Sequence, residues 1–174
     1  VVPIRKALGI RTFFNMLGPL VNPCRPKRQL VGVFNLHLAR LYGYLLQRKE
    51  IQFRVVHSLD GYDEVSLTGP FKQLTPQGER IHTPKDLGFE QHPAQALFGG
   101  ERVEDAARIF TQILDGEGTH AQEQVVLANA TLALQTAAPQ ESLETSREKA
   151  KESLQHGHAK RALQTLIACT QTHT

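Results

Sequence analysis

Apolar residues along the chain fall into two kinds of pattern, short continuous runs and helical stripes, and their order predicts the fold. The run from Gln29 to Phe34 reads as a strand rich in Val and Leu. Leu36, Leu38, Leu41, Leu45 and Leu46 then mark one face of a helix over 36–48. Ile51 to Val56 forms a second apolar run, a second strand. Strand, helix and strand with short connections make a βαβ unit, so these two strands are expected to pair in parallel. Val65–Thr68 and Phe71–Thr75 read as short strands around a Gly69-Pro70 turn. Residues 76–100 gather Pro, Gly and His and read as a long connection, with a little strand near Arg80-Ile81-His82.

The second half is helical. An amphipathic helix over 102–114 closes at Gly116. Thr119 with Gln122 has the spacing of a capping box and starts a helix that passes Val125, Val126, Leu127 and Leu132 toward Ala138. Pro139 stops it. The remainder, 142–170, is helical with a break at Gly157. Upstream of the first strand, residues 3–16 read as a short basic helix and turn, broken at Gly9. Leu17 to Pro23 holds Pro19 and Pro23 and is irregular. The fold class is α/β: a partial mixed, mainly parallel sheet with flanking helices and a helical C-terminal part. No repeat or low-complexity segment divides residues 1–174, which form a single unit.

The chain has 174 residues, 40% hydrophobic and 21% charged, which fits one globular domain with its own core. The net charge of +3 is too small for a nucleic-acid signature, and the one basic cluster, Arg25-Pro26-Lys27-Arg28, reads as a solvated loop. No apolar run approaches the roughly 18 residues that span a bilayer, so no membrane partner is expected. Cys24 and Cys169 form no CxxC pair and read as free thiols in a reducing compartment. The chain enters motif-bearing sequence at once and without Met, as expected of a fragment.

Candidate chemistry concentrates in His57-Ser58-Leu59-Asp60-Gly61-Tyr62-Asp63-Glu64-Val65, an acidic turn after the second strand. Strand ends are where α/β proteins place their sites. Adjacent carboxylates repel unless a proton or cation intervenes. Hard oxygens suit Mg²⁺. Two readings of Asp60, Asp63 and Glu64 stand: solvated loop acids, or a metal site at Asp63 and Glu64. Arg5 offers a planar donor fork or is a surface cation. Asn15 and Asn22 lie amid apolar residues and read as buried amides that staple an irregular loop. The eight His residues show no ligand spacing, and no phosphate-cradling glycine motif is present.

Two blocks carry a family resemblance. Leu8-Gly9-Ile10-Arg11-Thr12-Phe13-Phe14-Asn15-Met16-Leu17-Gly18-Pro19-Leu20-Val21-Asn22-Pro23 and Asp60-Gly61-Tyr62-Asp63-Glu64-Val65-Ser66 closely resemble signatures of anthranilate phosphoribosyltransferases, in the family's order and at about its spacing. Val21 stands where a Thr is common. The resemblance runs the length of the chain but covers only the C-terminal portion of the catalytic domain. It implies the α/β domain shared by nucleoside phosphorylases and phosphoribosyltransferases. It also implies transfer of a phosphoribosyl group from phosphoribosyl pyrophosphate to anthranilate, in tryptophan biosynthesis. By the same resemblance Arg5 contacts anthranilate, Asp63 and Glu64 bind Mg²⁺, no residue serves as a catalytic base, and the full-length parent is a cytoplasmic homodimer. The family's glycine-rich pyrophosphate loop and a Lys-His-Gly-Asn-type segment lie upstream, so the isolated fragment is expected to be inactive. The competing expectations are a pyrimidine nucleoside phosphorylase-like enzyme and a non-catalytic nucleic-acid-binding paralogue.

Overall fold

The computed structural model describes residues 18–171. Strand β1 (Arg28–Gly32) leads through Asn35 into helix α1 (Leu36–Gln47), and β2 (Gln52–Ser58) follows. The Asn35 side chain caps α1, its Oδ1 accepting from the Leu38 N–H at 2.8 Å. β1 and β2 pair in parallel, with Val31 opposite Val55, so the βαβ unit forms as its short connections require.

Strands β3 (Phe71–Thr75) and β4 (Gly78–His82) complete a four-stranded sheet in the order β1-β2-β3-β4. Both of the added pairings are antiparallel. The sheet is therefore mixed, but it is not mainly parallel. The physical reason lies in the connections. A parallel return needs a crossover, usually helical, whereas Leu59–Pro70 has no helix and Pro76-Gln77 is a two-residue hairpin. β4 is the little strand expected near Arg80-Ile81-His82, and the rest of 76–100 is a connection, as expected. It carries two short 3₁₀ turns, Pro84–Leu87 and Ala94–Leu97.

Four helices follow: α2 (Val103–Leu114), α3 (His120–Ala137), α4 (Leu143–Gln155) and α5 (His158–Gln171). The capping box at Thr119 forms as its spacing predicts, with Gln122 Oε1 accepting from the Thr119 N–H at 3.0 Å. Gly157, at φ +68°, separates α4 from α5.

Period-two alternation in β2 divides the core. Phe53 and Val55 face α1 and join Val31, Leu38, Tyr42 and Leu46. Val56 faces the other way, toward Ala128 and Leu132 of α3, and joins Val65, Leu67 and Phe71. One strand thus serves two apolar layers, the arrangement that buries a sheet on both faces. Among the described residues no helix is long and apolar enough to cross a membrane.

Val65–Thr68 is not a strand. Leu67 sits at φ +58°, and in place of a ladder this segment bonds to the side chains of Ser58 and Asn129 and, at the Leu67 carbonyl, to the His92 N–H at 2.9 Å. It lies between the two ends of the sheet's central pair and brings the acidic turn back over the end of β1. The approach there is so close that a methyl group on Gly32 would collide with the Asp63 carbonyl oxygen. Gly32→Ala is therefore expected to displace the turn and cost about 1–3 kcal/mol. Gly61→Ala meets open space but retains a φ of +108°, and is expected to cost about 1–2 kcal/mol through backbone strain alone. Urea denaturation gives both costs, and amide chemical shifts of 60–66 separate them, since only the first variant should move Asp63.

Candidate active site

The acidic turn begins where β2 ends. The Ser58 N–H donates to the Tyr62 carbonyl at 3.0 Å, the Gly61 N–H to Ser58 at 2.9 Å, and the Leu59 N–H to Pro70 at 2.9 Å. These three bonds close the loop on itself. A buried hydroxyl then organises its far side. Ser58 Oγ–H donates to the Glu64 carbonyl at 2.6 Å, and the Ser66 N–H donates to Ser58 Oγ at 3.1 Å. Ser66 Oγ lies 3.1 Å from Ser58 Oγ and 2.7 Å from Thr68 Oγ1.

Asp60 belongs to this hydroxyl network. Its carboxylate accepts from Thr68 Oγ1 and lies 3.5 Å from Ser66 Oγ. It staples the loop through these hydroxyls. Asp63 and Glu64 differ. Both are exposed, and neither carboxylate has an ion pair or hydrogen bond from another side chain among the described residues. The Glu64 carboxyl is held above the ordinary carboxylate range, first by lost hydration against the protein and second by the Asp63 charge.

Helix α3 fixes the turn from the side. Asn129 Oδ1 accepts from the Val65 N–H at 3.0 Å, and its Nδ2 donates to the Val65 carbonyl at 2.8 Å and to Val125 at 2.9 Å. One amide thus satisfies both backbone groups of the residue after Glu64, as a strand partner would. His57 ties the neighbouring strand end, its Nδ1 lying 2.8 Å from the Val33 carbonyl.

Asp63 and Glu64 therefore come together at the carboxyl end of β2. Arg5 and Asn15 lie outside the described residues. Asn22 is exposed rather than buried: its Oδ1 accepts from the Cys24 N–H at 2.9 Å, a local turn that needs no core position. Sequence reasoning missed Asn129, whose signal was an amide in mid-helix between Ala128 and Ala130, and the Ser58–Ser66 pair. Cys24 and Cys169 are both exposed, and no disulfide joins them.

As a donor set the turn suits a hard cation with further ligands from elsewhere. Among the described residues no cluster of three or more His, Cys, Asp or Glu side chains is placed to enclose a metal. Mg²⁺ is commonly held by one or two carboxylates plus substrate phosphates and water, and two unpaired, mutually repelling carboxylates fit that pattern.

Comparisons with known proteins give the family. Residues 1–160 match the model of the glycosyl transferase family, a/b domain. The anthranilate phosphoribosyltransferase of Cytophaga hutchinsonii is 52% identical over 159 residues, covering 91% of this chain and 48% of that protein. The enzyme of that name from Bacteroides fragilis is 51% identical over 167 residues, covering 96% of this chain and 50% of the relative. The chain spans about half the length of the curated relatives it matches. Among solved structures, anthranilate phosphoribosyltransferase from Thermus thermophilus superposes with a TM-score of 0.83 at 32% identity, over 97% of this chain and 50% of that one. The Saccharomyces cerevisiae enzyme, in complex with PRPP and Mg, gives a TM-score of 0.86 at 26% identity, over 99% of this chain and 49% of that one.

Two measurements test the site's construction. Asn129→Ala leaves the Val65 N–H and carbonyl unpaired and is expected to cost about 1–3 kcal/mol in denaturant unfolding. Hydrogen exchange should rise at Val65 but not at Leu30. The Glu64 shift predicts a pH dependence whose sign is fixed. With its pKa raised by folding, the metal-free folded state binds the extra proton, so stability falls as pH rises from the ordinary glutamate range through the raised value. Glu64→Gln should flatten that slope between those limits.

Proposed function

The chain belongs to the glycosyl transferase family, through its a/b domain, and from that membership we propose that the whole protein is an anthranilate phosphoribosyltransferase. The observation that carries this reading is the unpaired Asp63–Glu64 couple at the carboxyl end of β2, in a chain half identical to relatives bearing that name. The reaction joins the anthranilate amine to the anomeric carbon of phosphoribosyl pyrophosphate and releases pyrophosphate. It is a step of tryptophan biosynthesis.

Asp63 and Glu64 would hold Mg²⁺ against the pyrophosphate oxygens. The ion would supply charge stabilisation to the leaving group as its bond to the sugar breaks. The protein's own contribution is positional. Ser58, Asn129 and Gly32 fix the backbone of the turn that carries both carboxylates. A donor set held in place before substrate arrives avoids reorganisation during the reaction. Arg5 would orient anthranilate through its carboxylate, a proximity effect. The aromatic amine needs no strong protein base. A cytoplasmic, homodimeric parent belongs to the same proposal.

The test uses the whole protein. Asp63→Asn with Glu64→Gln is expected to lower Mg²⁺-dependent consumption of anthranilate, followed by its fluorescence, by about 10²-fold or more. Circular dichroism should report an intact fold. A double variant with unchanged Mg²⁺ dependence would remove these residues from the metal site.

A further inference from the structure

A cavity of about 280 Å³ opens on the α3 face of the sheet, lined by Arg54, Gln73, Arg80 and His82 among others and by no residue of the acidic turn. The register explains the grouping: Gln73 lies opposite Arg80, and Phe71 opposite His82. These alternate positions point to one face.

Its charges are not neutralised. The Arg54 guanidinium donates to Gln73 Oε1 at 2.7 Å, Gln135 Oε1 at 3.2 Å and Thr136 Oγ1 at 3.3 Å. All three acceptors are neutral, and no carboxylate pairs with Arg54 among the described residues. Three bonds from five N–H donors leave two unused. Arg80 lines the same cavity, and no hydrogen bond or ion pair engages its guanidinium among the described residues. His82 stacks on Phe71, with ring centroids 5.4 Å apart, and its Nε2 is buried without a partner. Two carboxylates stand close, Glu79 among the lining residues and Asp86 beside His82, and both are engaged. Glu79 is bound to Lys72 at 3.0 Å, and Asp86 accepts from the Thr83 N–H at 2.6 Å and its hydroxyl at 2.8 Å.

We propose that this cavity binds a phosphate monoester group, at a second site separate from the acidic turn. Two guanidiniums without a carboxylate partner match a dianion, and the planar Arg54 fork and Arg80 offer donors in different directions, as a tetrahedral oxyanion accepts them, with the buried His82 Nε2 left to meet it. The volume lies just under the range of small-molecule sites, about 300–1,000 Å³, so it suits phosphate with one small substituent.

The test reads His82 directly, so it does not depend on the transferase reading or on phosphate bound elsewhere. In the whole protein, with His82 imidazole resonances assigned through His82→Gln, inorganic phosphate and glycerol phosphate should shift those resonances saturably. Arg80→Ala, at an exposed position, should weaken that response at least tenfold, and Arg80→Lys should retain most of it. A response equalled by sodium chloride at matched ionic strength, one produced by acetate but not phosphate, or one indifferent to Arg80→Ala would overturn the proposal.

Discussion

The site depends on holding two like charges side by side at the end of a strand without help from a neighbouring cation. Adjacent carboxylates gain nothing from each other, and a free loop would swing them apart. Here the backbone between Ser58 and Ser66 is fixed from three directions. The Ser58 hydroxyl holds the Glu64 carbonyl, Asn129 holds both backbone groups of Val65, and Gly32 lets the Asp63 carbonyl approach closer than any side chain would allow. The Glu64 carboxyl sits above the ordinary carboxylate range first because the protein removes part of its hydration and second because the Asp63 charge stands beside it.

The fold serves this constraint more than the sheet alone suggests. Helix α3 covers one face of the sheet with Ala128 and Leu132, and between them Asn129 reaches the turn. The same helix therefore supplies apolar burial and a surrogate strand edge. Val65 and Leu67, both fully buried, carry the loop into the core immediately after Glu64. Burial and polar fixation alternate residue by residue, so the turn cannot slide along the sheet without exposing Val65 or orphaning its amide.

Much of the scaffold was legible in local chemistry. The βαβ unit, the Thr119 capping box, the stop before Pro139 and the Gly157 break all depend on near neighbours, and all form. The acidic pair was visible as a composition anomaly after an apolar run. What escaped depends on contacts distant in sequence. Val65–Thr68 has strand-like residues, yet its partners are a serine hydroxyl and an asparagine 64 positions away, so the ladder never forms. The direction of β3 was likewise undetermined by its own residues. It follows from the missing crossover helix, and with it the sheet becomes antiparallel beyond β2.

The division of labour among Asp60, Asp63 and Glu64 shows why residue type alone underdetermines a site. All three are acids of one turn, and solution chemistry treats them nearly alike. Asp60 is consumed by Thr68 and Ser66 hydroxyls, which satisfy its oxygens and hold the loop. Asp63 and Glu64 receive no such donors, while the carbonyls of both are committed to the scaffold: one against Gly32, the other to Ser58. Under the proposed function, a fixed main chain with side-chain oxygens left unspent is what would fit these two loop acids to hold a metal. The first carboxylate of the turn anchors the geometry, and the following two inherit it.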